Sequence, residues 1–283
     1  MKRRYIYLFT ILLAVVSIKA NAQTPRIPEA SSTQTIIQDF GLGKITITYS
    51  RPNVNGRVIF GGINPYGQVW RTGANAATTI TFSENVFMQG NKVPAGTYAL
   101  FTIPDKDEWT VILNKTAKQW GAYSYKEADD LLRFKVKPIH LDEKRESFTI
   151  QFANATTKSN DLFLVWDHTA VSIHLETDDD AQITANIDEL MKGAPAKRPY
   201  FNAIQYYWNN NKDMKKALGW VMEAEKIDPK GPWYKLWEAR VRLKMGDKAA
   251  AISAAQEGIK LSKEANDPEY ERLNQAVLDQ ARS

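Results

Sequence analysis

The chain is 283 residues long, with 37 Lys and Arg against 32 Asp and Glu and no Cys. Its formal charge of +5 sits at the N-terminus: Lys2, Arg3, Arg4 and Lys19 precede every acid, and the rest carries 33 bases against 32 acids. With charges balanced and no basic stripe there is no nucleic-acid footprint, and without Cys there is neither a disulfide framework nor a lipid-modified cysteine.

The first residues, "MKRRYIYLFTILLAVVSIKANAQ", have the three parts of a secretory signal. Lys2, Arg3 and Arg4 form the positive end, Tyr5 to Ile18 the apolar run and Ala20-Asn21-Ala22 the cleavage site. Residues 1–22 are therefore expected to be removed, leaving a periplasmic or secreted protein that begins at Gln23. The apolar run is short for a span of ~20 residues, so no membrane span is expected. An exported chain without disulfides implies a core large enough to do without them.

From 35 to 177 the apolar residues alternate. "KITITYS" sets Ile45, Ile47 and Tyr49 against Thr46 and Thr48; "EWTVILNK" sets Trp109, Val111 and Leu113 against Thr110, Ile112 and Asn114. "RFKVK", "SFTIQF" and "AVSIHLE" repeat the pattern, each strand predicted to be apolar on one face and wet on the other. "DLFLVW" is apolar on both faces and is expected in a sheet interior. Turns at 64–67, 94–96 and 104–105 separate the strands. Eight to ten short strands without helical patterns between them predict an antiparallel all-β sandwich or jelly roll.

The period changes after Thr177. Residues 178–199 read as a helix and linker: Asp178 to Asp180 open it, Ile183, Ile187 and Leu190 form its apolar face, and "GAPAKRP" follows. Residues 200–283 contain a repeat. Asp213 and Asp247 lie 34 apart, as do Ala217 and Ala251. This period resembles tetratricopeptide repeats, with Phe201, Ile204 and Trp208 in one helix and Ala217, Val221 and Ala224 in the next. Gly258 stands where the pattern usually has Ala, and a last helix from Pro268 carries Tyr270, Leu273 and Val277 as a cap would. The resemblance implies docking of a protein partner. Trp233 and Trp237 offer more apolar surface than two repeats are expected to hide.

The β half resembles the family catalogued as domain of unknown function 2911. The resemblance rests on "YSRP" at 49–52, "GRVIFGG" at 56–62, "PYGQVWRTGAN" at 65–75, "VPAGTYALFTIP" at 93–104, "EWTVILNK" at 108–115 and "QWGAYSY" at 119–125. It implies an exported β domain and brings no activity. In the family pattern an acid often follows the "GAN" turn; this chain has Ala76 there.

Arg71 and Asn75 are the first candidate site residues. Either they line a polar pocket with Arg51 and Arg57, or Arg71 caps loop carbonyls and Asn75 holds the turn through its own backbone. Trp120, Tyr123 and Tyr125 form a second group, a platform for sugars or peptides or else a cover for one end of the sheets. His140, His168 and His174 have no metal-ligand spacing, so neither a metal nor a cofactor is expected. No nucleophile-elbow, zinc-protease or phosphate-loop motif occurs. Glu84, Asp105, Glu108 and Asp129 are scattered acids that spacing neither pairs nor separates. The expected function is an exported binding protein whose β domain takes a small polar or glycan ligand and whose helices dock a protein. The alternatives are a hydrolase of envelope or other polysaccharide and a purely structural envelope protein. A hydrolase should bring buried acids into the cleft that holds Arg71.

Overall fold

A computed structural model describes residues 27 to 283; the predicted leader and its cleavage site after Ala22 lie outside the described residues. The chain divides between Asp178 and Asp179 into two compact units. The first is β-rich, built of two antiparallel sheets, and the second consists of six helices. No helix among the described residues is long and apolar enough to cross a membrane.

The β unit has strands β1 (Ser32–Phe40), β2 (Gly43–Arg51), β3 (Ala74–Phe82), β4 (Val86–Met88), β5 (Asn91–Val93), β6 (Gly96–Ile103), β7 (Trp109–Asn114), β8 (Asp130–Val136), β9 (Ile139–Ala153) and β10 (Ser159–Glu176). One sheet has the order β1-β2-β3-β6-β7-β8 and the other β5-β4-β10-β9. Alternation puts Ile45, Ile47 and Tyr49 of β2 and Val171, Ile173 and Leu175 of β10 in a single core that draws on both sheets. β10, with its doubly apolar "DLFLVW", is flanked by β4 and β9. At the centre of this core Trp70 stacks on Trp166 with ring centroids 5.6 Å apart, and Phe148 meets Trp70 edge-on at 5.1 Å.

β7 departs from the expected alternation. Ile112 and Asn114, assigned to a wet face, are fully buried. The segment after β7 folds back over that face: Ala77 N–H donates to Gln119 O at 3.0 Å, and Asn114 Nδ2 donates to Lys126 O at 3.0 Å. Beneath it Ala77, Ala99, Phe101 and Ile112 form a second small core with Ala122 and Tyr125 against it.

The helices are α1 (Asp180–Leu190), α2 (Tyr200–Asn209), α3 (Met214–Ile227), α4 (Pro232–Lys244), α5 (Lys248–Glu264) and α6 (Pro268–Arg282). The two aspartates 34 apart both cap helices: Asp213 Oδ1 accepts from Lys215 N at 2.9 Å and Asp247 Oδ1 from Ala250 N at 3.2 Å. Ala217 and Ala251 are both fully buried. α1 contributes Ile187 to the core of α2, α3 and α4, whereas Leu190, expected on the same face, is exposed. The 193–199 stretch lies within the helical unit and is tied to α3 by Arg198 and Glu223 at 2.7 Å. Gly258 also has a packing reason, because a Cβ there would lie 2.2 Å from Oδ1 of the buried Asn274. The tryptophans are absorbed rather than left over: Trp237 is buried against Phe201 and Trp208, and Trp233 packs on Tyr270.

Candidate functional site

The bend from Trp70 to Asn75 is built from unusual backbone. Thr72, a β-branched residue, has φ +54°, Gly73 has +152° and Asn75 has +56°. A β-branched residue in the left-handed region costs on the order of 1–3 kcal/mol and persists only where its surroundings enforce it. Those surroundings are visible. Trp70 pairs with Thr102 through N–H···O bonds of 2.7 and 2.9 Å, and its indole donates to Gly73 O at 3.0 Å. Thr78 Oγ1 donates to Thr72 O at 2.6 Å, and Thr78 N–H donates to Arg71 O at 3.2 Å. A Cβ on Gly73 would stand 2.9 Å from Ser50 O, so only glycine fits this approach. The Trp-Arg sequence thus has a division of labour: Trp70 anchors the bend in the core, and Arg71 is presented on its other side.

Arg71 faces a cleft of about 430 Å³ lined by residues of the 52–64 loop, the bend itself, Ala30, Ser31 and Trp166. That volume is in the range of ordinary small-molecule sites, roughly 300–1,000 Å³. Its polar side chains are Ser31, Asn53, Asn55, Arg57, Asn64, Arg71 and Asn75, and no Asp or Glu is among the lining residues. Arg57 is tied down, its Nε donating to Val54 O at 3.1 Å and its Nη2 to Asn53 O at 2.5 Å. Arg71 is not: its Nε is buried and has no hydrogen-bond partner among the described residues. Burial lowers the Arg71 guanidinium from its ordinary value, and the Tyr123 hydroxyl opposes that shift. Asn64 Nδ2 is a second buried donor without a partner. Asn75 Nδ2 donates to Ser31 O at 3.3 Å, so Asn75 helps hold the bend while its left-handed backbone suits asparagine.

The predicted residues divide. Arg57, Arg71 and Asn75 line one cleft. Trp120 and Tyr123 stand beside it on the segment joined to Asn75 by a Gly121 N–H to Asn75 O bond of 3.0 Å, and they are 66% and 87% exposed. Arg51 and Tyr125 are elsewhere. Arg51 donates from Nε to Phe148 O at 3.1 Å and from Nη2 to Thr149 Oγ1 at 3.0 Å, linking β2 to β9. Tyr125 packs on Phe101 and its hydroxyl meets Asp130 and Arg133; burial and the Asp130 hydrogen bond push it up to about 12. Asn53 and Asn64 belong to the cleft without having been singled out. The signal is four asparagines between 53 and 75, a density that turn chemistry alone also explains.

The scattered acids do not meet Arg71. Glu108 pairs with Lys135 at 2.5 Å, Asp129 accepts from Thr116 Oγ1 at 3.1 Å, and Asp105 lines a separate cleft with Tyr66 and His140. His174 bridges Asp161 at 2.7 Å and Glu176 at 3.3 Å, whereas His140 and His168 stack on each other. Among the described residues no three His, Asp or Glu side chains are grouped to hold a metal.

Residues 31–175 match the family described as protein of unknown function (DUF2911). The chain belongs to this family. The DUF2911 stretch takes in both sheets and every residue of the Arg71 cleft except Ala30; the helical unit lies beyond it. No curated protein and no solved structure matches the chain.

Proposed function

We propose that the chain is an exported binding protein, periplasmic or secreted. Its β domain, a sandwich of the two sheets, holds a small polar or glycan ligand in the Arg71 cleft. Its tetratricopeptide-like helices dock a protein partner. The observation that carries the ligand reading is Arg71 itself, a half-buried cation with an unpartnered Nε in a cleft of suitable size. An unsatisfied buried donor costs about 1–3 kcal/mol, so the Arg71 head group is not kept there by a hydrogen bond from its Nε to the fold. The exposed Trp120 and Tyr123 beside it suit the apolar face of a sugar.

A single core shared by both sheets supports the sandwich, and the equivalent caps at Asp213 and Asp247 support the repeat reading. A polar groove of about 640 Å³ lined by residues of α4 and α5, among them Lys235, Arg242 and Lys260, supports docking on the helices. The hydrolase alternative calls for carboxylates in the cleft, and none lines it. The test is a panel of neutral and acidic saccharides and small solutes against the full chain lacking residues 1–22. At least one member should raise Tm in the wild type and fail to do so in Arg71→Ala and Trp120→Ala. A panel in which no member shifts Tm, or shifts that survive both substitutions, would overturn the cleft as a binding site.

A further inference from the structure

We infer that the ligand of the Arg71 cleft is an acidic sugar, a pyranose carrying a single carboxylate; the inference rests on the ligand reading above. The first argument is the balance of donors and acceptors. Side-chain N and O atoms that are buried without a partner occur at eight places among the described residues, and only two of those, Arg71 Nε and Asn64 Nδ2, belong to residues that line a cleft. Both are donors. Asn53 adds to the same side: its Oδ1 already accepts from Ser147 Oγ at 2.5 Å, which leaves its amide N–H groups for a ligand. A cleft with surplus donors and no carboxylate selects an acceptor-rich, negatively charged group.

The second argument sets the charge and geometry of that group. Arg57 is held by two backbone carbonyls, so Arg71 is the cation with its fork uncommitted. One planar guanidinium matches one planar carboxylate through two parallel hydrogen bonds, and its single positive charge balances a monoanion more closely than a dianionic phosphate. A zwitterionic amino acid is disfavoured by the same lining, because no Asp or Glu is there to meet its ammonium group.

The third argument concerns the rest of the ligand. Asn75 Nδ2 is engaged by Ser31 O, leaving Asn75 Oδ1 to accept from a ligand hydroxyl. Trp120 and Tyr123 are exposed on the segment whose Gly121 N–H donates to Asn75 O at 3.0 Å. A ligand anchored on Arg71 therefore meets hydroxyl-binding amides, and one that extends past Asn75 reaches the segment that carries the exposed Trp120 and Tyr123. A sugar acid has this order of groups; a simple carboxylic acid lacks the hydroxyls, and a neutral sugar lacks the anchor.

The decisive experiment uses matched pairs that differ only at C6: methyl glucuronide against methyl glucoside, and the galacto and manno pairs likewise. Each is titrated by calorimetry into the chain lacking residues 1–22. For at least one pair the uronide should bind at least about tenfold more tightly than the neutral glycoside, and raising salt should narrow the gap. Arg71→Met should abolish the gap by weakening the uronide alone. Arg71→Lys should keep part of it, which controls for a folding defect. Trp120→Ala should weaken both members of the pair equally. Equal binding of uronide and glycoside would overturn the acidic-sugar inference and leave the polar-ligand reading standing. Acetate binding as tightly as the uronide would overturn the sugar part. Failure of every uronide and every glycoside to bind would overturn the inference and count against a glycan ligand altogether.

Discussion

Each unit of this protein keeps one arginine half-buried with its pKa lowered by burial, and the two are treated differently. In the helical unit Arg240 lies over the ring of Trp237 at 4.8 Å and near that of Trp208 at 5.8 Å, so aromatic faces replace water. In the β unit Arg71 has a buried Nε without a partner and faces an open cleft. A buried cation that its own fold satisfies is a structural part. One left unsatisfied beside a cavity has no such internal role, and the proposed ligand supplies the missing one.

The largest effect belongs to the aromatic cradle. Trp237→Ala should destabilise the helical unit by about 3–5 kcal/mol, read from the helical circular-dichroism transition, because it removes a buried indole and uncovers Arg240. Arg240→Ala should cost less, about 1–2 kcal/mol, through lost ring contact and lost packing of its stem. A neutral outcome for Arg240→Ala would erase the contrast with Arg71. Within the cleft itself Arg57 provides an internal control. Its two bonds to Asn53 and Val54 carbonyls predict that Arg57→Ala lowers β-unit stability by about 1 kcal/mol in denaturant titration.

A smaller effect tests a charge pair that the β unit satisfies for itself. Asp161 raises the His174 value from its ordinary range; Asn154 first and His174 second lower that of Asp161. The histidine's contribution is complete below its unfolded value near ~6.5 and is lost as pH rises through the folded value. The carboxylate's contribution is present above its unfolded value near ~3.9 and is lost as pH falls through the folded value. Their joint stabilisation is greatest between about pH 4 and 6.5. His174 is 43% exposed and Asp161 21%, so solvent screening keeps the effect below about 1 kcal/mol. His174→Gln should flatten this part of the stability–pH curve; an unchanged curve would mean the pair contributes nothing.

Much of the fold was legible because one strand face is wet: β2 and the end of β10 show their inward residues as a plain alternation. β7 was misread because its second face is covered by a loop, and the residues that let the loop close down, Ala77, Ala99 and Ala122, carry no pattern. Trp237 was misread for the complementary reason. Its partners Phe201 and Trp208 come from α2, and the periodicity of one helix says nothing of what its neighbour buries. At the site, Arg71 was legible because a long cation is more than a glycine-bounded bend needs. Asn53 and Asn64 were not, since asparagine in a turn already has one. Arg51 and Tyr125 have the right chemistry for a site but find protein partners: Arg51 at β9, 97 residues away, and Tyr125 at Asp130 and Arg133 of β8, where no periodicity pairs a loop tyrosine with a strand.

If Arg71 is kept for a ligand rather than for the fold, the thermal stability of Arg71→Ala will show it. With no internal bond from its Nε to lose, the variant should melt within about 2 °C of the wild type, given roughly 2–4 °C per kcal/mol for a unit of this size. A loss of about 2 kcal/mol or more would make Arg71 a buried staple of the bend and contradict the account.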